Sequence, residues 1–176
     1  RNQPNYLKRV DTWHDEIANI WLETLNKELP RGGAAALMIW GDPSLYDSSL
    51  RIAERLKSRV KSLSVKVTPG LTSIQLLTAA HGITLNEIGA PVMISTGRQL
   101  RKQGWPAGCN TLVVMLDGDC SFDHLDGGKY LIWWGAFLGM PNELVISGQL
   151  QKCADLIKSS REKAREQHGW IMDIYL

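Results

Sequence analysis

The stretch that decides the fold reads AAALMIWGDPSLY, from Ala34 to Tyr46. Its first seven residues form an unbroken apolar run, which is typical of a parallel strand covered on both faces. Gly41, Asp42 and Pro43 end this run sharply, and a helical pattern begins near Asp47. The stretch therefore predicts a strand, a tight turn and a helix. The turn lies at the carboxyl end of the strand, where open α/β sheets bind their ligands.

A second turn of the same kind follows the next predicted strand. Residues 63–67 alternate between apolar and polar side chains, the period of a half-buried strand. The segment PGLTS, from Pro69 to Ser73, closes that strand, and Thr72 and Ser73 stand at the start of a predicted helix. Their hydroxyl groups suit either a plain helix cap or the polar groups of a ligand. Two turns on successive strands of one sheet open on the same edge and could share one ligand.

Helices and strands alternate along the first half of the chain, and the second half is richer in strands. Apolar residues spaced three and four apart predict helices over residues 5–29, 47–60, 71–81 and 149–167. Short apolar runs predict strands over residues 92–96, 111–116, 129–134, 143–147 and 170–176. We expect an α/β protein of two domains, residues 1–86 with a mainly parallel sheet and residues 87–176 with a mixed sheet.

Composition and charge argue against several classes of function. Twenty basic residues against eighteen acidic ones give a net charge of +2, without long runs of one sign, so no nucleic-acid partner is predicted. Basic residues on helical faces, such as Arg55 and Arg161, are interpreted as solvated. The three cysteines lack metal-ligand spacing, and no metal site is predicted. No apolar stretch has the length of a membrane span and no signal peptide is visible, so we expect a cytoplasmic location.

The two turns, taken with their flanking residues, resemble one protein family. The segments IWGDPSLYDSSLRIAERL and VKVTPGLTSIQLLTAAHGITLNEIG resemble the tetrapyrrole (corrin and porphyrin) methylases in their GDPxxY and PGxTS turns. The segments WHDEIANIW, ISTGRQL and IWWGAFLGMPNELVISGQL extend the likeness from about Tyr6 to Tyr175, and they resemble one member of the family in particular.

The resemblance implies two α/β domains with S-adenosyl-L-methionine bound in the cleft between them. The residues that fall at cofactor-contacting positions of the family are Trp40, Gly41, Asp42, Leu45, Thr72, Ser73, Met115 and Gly135. For the substrate we select Tyr46, just beyond the first turn, and Arg98, which follows a predicted strand in a loop and could pair with a carboxylate.

The resemblance also implies the reaction, C-methylation of precorrin-5 at carbon 1 with release of acetate. Two alternatives stay open: methylation of another corrinoid or porphyrin carbon by the same fold, and tetrapyrrole binding without catalysis. The family further suggests a homodimer. The release of acetate consumes water, but the sequence assigns no catalytic base. The polar candidates are Asp42, Tyr46, His14, His81 and His124.

One departure from the family concerns the start of the chain. Family members begin with a strand that leads into a glycine-rich GxGxGD-like loop, and nothing of this kind precedes Arg1. We therefore expect that roughly the first quarter of the enzyme is missing from this sequence. We also expect the sequence as given to methylate poorly or not at all, because donor and acceptor need both walls of the cleft.

Overall fold

Five α-helices, one short 3-10 helix and five strands are formed by residues 3–176, the part described by this computed structural model. The helices are α1 (Gln3–Glu28), α2 (Ser49–Arg59), α3 (Ser73–His81), α4 (Gly97–Gln103) and α5 (Leu150–His168), and the 3-10 helix spans Ser121–His124. The strands are β1 (Val92–Thr96), β2 (Thr111–Met115), β3 (Leu131–Ala136), β4 (Leu144–Gln149) and β5 (Asp173–Tyr175). No helix in this part of the chain combines the length and apolar character that a membrane span requires.

The first of two compact units ends at Thr72 and is built on the packing of α1 against α2. Ala18 from α1 and Ile52 and Leu56 from α2 are buried at the centre of this contact. Arg55 of α2, expected to be solvated, instead reaches across to α1, where its Nε atom lies 2.8 Å from Asp15 Oδ1. The amphipathic patterns of the two helices therefore bring their apolar faces together.

The parallel sheet that the sequence predicts for this unit does not form within residues 3–72. Neither residues 34–40 nor residues 63–67 have a ladder partner in the described chain. Met38 is fully exposed and the side chain of Trp40 is 85% exposed. A segment becomes a strand only where a neighbour supplies partners for its N–H and C=O groups, and no described strand lies beside either segment. The α/β class nevertheless holds for the chain as a whole.

The second unit, Ser73–Leu176, contains a five-stranded mixed sheet in the order β1-β2-β5-β3-β4. Strands β1 and β2 are parallel, and the remaining neighbours are antiparallel. Its hydrophobic core includes Trp134 of β3, Phe122 of the 3-10 helix and Ile157 of α5, each at most 1% exposed. The mixed sheet predicted for the C-terminal part is thus confirmed.

The boundary between the units lies before α3, earlier than the expected domain boundary at residue 86. Helix α3 contacts strands β3, β4 and β5, so it packs with the second unit. Its Leu77 is buried, and the Nε2 atom of His81 lies 3.0 Å from the carbonyl oxygen of Trp134. The boundary at residue 86 stays a prediction for the domains of the whole protein.

Candidate functional site

The first predicted turn is organised by the carboxylate of Asp42. Its Oδ1 atom accepts a hydrogen bond from the Ser44 backbone N–H at 2.8 Å and another from the Ser44 hydroxyl. The Leu45 N–H donates to the Asp42 carbonyl oxygen at 3.2 Å. Gly41 has φ +91°, a backbone conformation that residues with a Cβ rarely adopt. The sequence GDPS therefore folds into a closed turn through its own side chains.

The second predicted turn is joined to the first. The Gly70 N–H donates to Asp42 Oδ2 at 2.9 Å, across 28 residues of sequence. The two backbones approach so closely that a Cβ at Gly70 would overlap the carbonyl oxygen of Gly41. The structure thus brings Gly41 and Asp42 together with the turn that leads to Thr72, as their positions in the sequence suggested.

The ionisation of Asp42 follows from these contacts. Hydrogen bonds from the Ser44 hydroxyl, the Gly70 N–H and the Ser44 N–H lower the pKa of the Asp42 carboxyl below its ordinary value. The group is therefore an anion throughout the neutral range and a weak base. We infer that Asp42 serves the site by holding the two turns together.

Large apolar side chains flank the joined turns and are open to solvent. Trp40 immediately precedes Gly41, and Leu71 follows Gly70 with 66% of its surface exposed. Tyr46 is 44% exposed at φ +50°, and partial burial raises the pKa of its hydroxyl. Clustered apolar surface beside hydrogen-bonding backbone is typical of a small-molecule site.

The other selected residues, Ser73, Arg98, Met115 and Gly135, belong to the second unit. Ser73 is the first residue of α3, and Gly135 lies in β3 beneath that helix. A Cβ at Gly135 would lie 2.7 Å from Leu138 Cδ2 and 2.9 Å from Leu77 Cδ1. Packing against Leu77 and Leu138 therefore favours glycine here, and the cofactor contact of Gly135 stays a prediction.

Arg98 and Met115 lie at the carboxyl ends of the two parallel strands. Thr96, the last residue of β1, pairs with Met115, the last residue of β2. Arg98 was expected in a loop, but α4 begins directly after β1, and Arg98 is an exposed residue of its first turn. The helix starts there because the Thr96 side chain accepts a hydrogen bond from the Gln99 N–H at 3.4 Å.

A buried acid that the sequence analysis did not select, Asp117, follows β2 after one further residue. Its Oδ1 atom accepts hydrogen bonds from Arg101 Nη1 at 3.0 Å and from the Ser121 hydroxyl at 2.7 Å. Its Oδ2 atom accepts from the Ser121 N–H at 2.6 Å and from the Tyr175 hydroxyl at 2.7 Å. Burial by itself raises the pKa of Asp117, but the bonds from Ser121 and Tyr175 outweigh it and hold the pKa below its ordinary value. An aspartate just after an apolar run predicted to form a strand, a pattern that also precedes Asp42 in the sequence, was the available signal.

Arg161 of α5, interpreted from the sequence as solvated, is instead a buried residue. It is 5% exposed, and its Nε atom lies 2.8 Å from Asp173 Oδ2. The Trp134 indole N–H donates to the same oxygen at 2.7 Å. Arg161 also donates to the Asp117 carbonyl oxygen at 2.5 Å, so the ion pair extends the Asp117 cluster into the sheet.

The three candidate histidines do not join either turn. His14 is buried in α1, and its Nε2 atom has no hydrogen-bond partner among the described residues. His81 binds the Trp134 carbonyl, and His124 is exposed in the 3-10 helix. A catalytic role for any of the three stays a prediction.

Comparison with known proteins identifies the family of this chain. The family model of tetrapyrrole (corrin/porphyrin) methylases matches residues 2–154, most of the chain. The chain belongs to this family. The methylase turns identified from the sequence are therefore the turns that Asp42 joins in the structure.

Two relatives share high sequence identity with this chain, and a third shares mainly its fold. Precorrin-6A synthase [deacetylating] of Sinorhizobium sp is 47% identical over 173 residues, which cover 98% of this chain and 66% of the relative. The crystal structure of a cobalamin synthesis related protein (CobF) from Corynebacterium diphtheriae is 39% identical at a TM-score of 0.86, with 96% of this chain and 71% of that chain covered. Uroporphyrin-III C-methyltransferase from Thermus thermophilus, solved with S-adenosyl homocysteine, shares the fold at a TM-score of 0.56 and 20% identity, over 91% of this chain and 68% of that chain. The chain thus spans slightly less than two thirds of the length of the curated relative.

Proposed function

We propose that the whole protein is a precorrin-6A synthase, which methylates carbon 1 of precorrin-5 and releases acetate. The observation that carries the proposal is the pair of methylase turns joined by Asp42 and Gly70, in a chain 47% identical to a protein of that name. The chain's low identity to the uroporphyrin-III enzyme, 20%, gives less support to the alternative of another tetrapyrrole substrate.

The methyl donor we propose is S-adenosyl-L-methionine, which supplies an activated methyl group when bound. The residues of the first unit suit it, because Gly41 and Gly70 meet where a side chain would clash, and Trp40 and Leu71 next to them expose apolar surface. Trp40, Gly41, Asp42, Leu45 and Thr72 would hold the donor from this unit. Ser73, Met115 and Gly135 would do so from the second unit.

The chemistry asked of this chain is mainly alignment of donor and acceptor. An electron-rich ring carbon attacks an activated methyl group, so catalysis depends on holding the two in line. Arg98 carries a guanidinium group that can bind a substrate carboxylate in bidentate fashion, and Tyr46 can contact the macrocycle. A homodimer, as the family suggests, and a cytoplasmic location are part of the same proposal.

The cofactor site is tested by calorimetric titration of the whole protein with S-adenosylhomocysteine. Gly70→Ala places a Cβ against the Gly41 carbonyl and forces the turns apart, so we expect binding to weaken at least about tenfold. Gly118→Ala is the matched control, because a Cβ there meets no atom within 4 Å. Equal affinity in both variants would overturn the assignment of the turns.

The reaction is tested by incubating the whole protein with S-adenosylmethionine and precorrin-5. We expect methylated product and one acetate per methyl group transferred. Methylation of uroporphyrinogen III in place of precorrin-5 would favour the alternative methylase. Cofactor binding without any turnover would favour a non-catalytic binding module.

A further inference from the structure

We propose that Asp117 is a positioning residue, which fixes the ends of β1 and β2 so that Met115 and Arg98 face the ligands correctly. The inference rests on the proposed function, because Met115 and Arg98 owe their ligand roles to it. Asp117 lies outside both methylase turns, and its hydrogen-bond partners Arg101, Ser121 and Tyr175 belong to the second unit.

The Asp117 carboxylate holds the start of α4 at two points. Gly97, the first residue of that helix, packs so tightly that a Cβ there would overlap Asp117 Oδ1. One helical turn later, Arg101 donates from Nη1 to the same oxygen at 3.0 Å. Arg98 lies between these two contacts, so the carboxylate sets the direction in which α4 carries it.

The same residue fixes the turn that follows β2. Leu116 has φ +54° and is 54% exposed, an unusual combination for a large apolar residue. Such a conformation persists only where the flanking residues are held. On one side Met115 is paired with Thr96 in the sheet, and on the other the carboxylate of Asp117 accepts hydrogen bonds from Arg101, Asp119, Ser121 and Tyr175.

The residues that bind the Asp117 carboxylate from the sheet and the 3-10 helix are buried. Tyr175, which donates to Asp117 Oδ2, belongs to the central strand β5 and is 4% exposed. Its ring meets Phe122 edge to face, with ring centroids 5.3 Å apart. Ser121, which binds both carboxylate oxygens, is fully buried. Asp117 thus ties two parallel strand ends to the core of the sheet.

The position of the hydrogen-bonded Asp117 carboxylate indicates a role in ligand binding as well as in stability. It lies at the carboxyl ends of adjacent parallel strands, the edge at which α/β sheets bind ligands. An exposed apolar residue in a strained conformation at that edge is typical of a ligand-contacting position. Loss of these hydrogen bonds should therefore impair the proposed cofactor contact of Met115 and the proposed substrate contact of Arg98 together.

The first test measures two constants of the whole protein, the dissociation constant of S-adenosylhomocysteine and the KM for precorrin-5. Asp117→Asn keeps the shape of the side chain but replaces one acceptor oxygen by a donor amide. We expect both constants to rise about tenfold. Ile157→Val, a buried change in α5 that removes no hydrogen bond, is the control for general destabilisation and should leave both constants unchanged. Unchanged constants in Asp117→Asn, or equal increases in Ile157→Val at a similar Tm, would overturn the inference.

A double-mutant cycle provides the second test. Gly97→Ala should displace the carboxylate and raise the same two constants, whereas an Asp117→Gly background lacks the Oδ1, Cγ and Cβ atoms that the new methyl group would overlap, so Gly97→Ala should add little there. Independent effects of the two substitutions would contradict the inference that Asp117 positions the start of α4. If the unaltered protein binds no S-adenosylhomocysteine, the proposed function fails and this inference with it. Normal binding by the unaltered protein and by Asp117→Asn alike overturns the inference alone.

Discussion

Asp42 and Asp117 use their carboxylates in the same way, although they lie in different units. Each accepts hydrogen bonds from backbone N–H groups and from a serine hydroxyl two or four residues later. In each case the pKa falls below the ordinary value of aspartate. Neither is suited to take a proton from water near neutral pH, so both organise the backbone. The base for the water step of the proposed reaction should be sought elsewhere.

The first prediction at this scale concerns Arg98. In the whole protein, Arg98→Ala should raise the KM for precorrin-5 with little change in S-adenosylhomocysteine affinity. Arg98→Lys should recover only part of the loss, because a point charge lacks the planar fork that binds a carboxylate twice. Steady-state kinetics and calorimetry measure the two constants. An effect confined to cofactor binding would refute the substrate role.

The second residue-scale prediction concerns Tyr175 and alkaline pH. Burial and the neighbouring charge of Asp117 raise the pKa of the Tyr175 hydroxyl far above its ordinary value, about 10. Below pH 10 the hydroxyl is protonated in both folded and unfolded chains, and its contribution to stability is fully present. Above pH 10 only the unfolded chain ionises, so this contribution falls by about 1.4 kcal/mol per pH unit.

The test of this prediction is urea unfolding at several pH values between 8 and 11. The stability advantage of the unaltered chain over Tyr175→Phe should be constant up to about pH 10 and shrink above it. An advantage that grows with pH would show that the sign is wrong.

At the scale of elements, the sequence predicted α1, α2, α3 and α5 but missed the shortest α-helix, α4. The periodicity over residues 5–29 and 149–167 located α1 and α5 to within two residues at each end. Helix α4 has only seven residues, too few for a period, and was missed. Strand β3 begins at Leu131 and not at 129, because the Lys129 N–H closes a turn onto the Asp126 carbonyl oxygen.

The candidate site was predictable where it depends on local turn chemistry. The GDPS turn follows from its residue types, and its closeness to the Gly70 turn was expected, although the two strands on which that expectation relied do not form in the described chain. The Asp117 cluster was not predictable, because its partner Tyr175 lies 58 residues away and Arg161 binds its carbonyl from another helix. The missing ladder at residues 34–40 had the same cause, since a strand needs a partner that its own residues do not specify.

The prediction at this scale concerns the contact of α3 with β3. Gly135→Ala would push a methyl group into Leu77 and Leu138, and we expect the free energy of unfolding to fall by about 1–3 kcal/mol. Gly118→Ala, where the space is open, should be neutral or slightly stabilising. Denaturant unfolding of the two variants compares them directly, and equal stability would mean that the helix shifts freely on the strand.

At the scale of the whole molecule, the two units differ in how their backbone is satisfied. Hydrogen exchange of the 176-residue chain should therefore be fast in residues 34–40 and 63–71, which have no ladder bonds in the structure. The buried strand β2 and its neighbour β3 should exchange slowest. Peptide-level mass spectrometry measures both. Protection of residues 34–40 equal to that of β2 would indicate pairing that this structure lacks.

The central place of β5 has a consequence for synthesis on the ribosome. Strands β1 and β2 form one pair and β3 and β4 form another, yet the three residues Asp173–Tyr175 that join the pairs are made after all of them. Until this segment emerges, each pair presents an unpaired strand edge to solvent, and such edges are templates for aggregation. Chaperone dependence of the nascent chain should therefore end late, when the last strand enters the middle of the sheet.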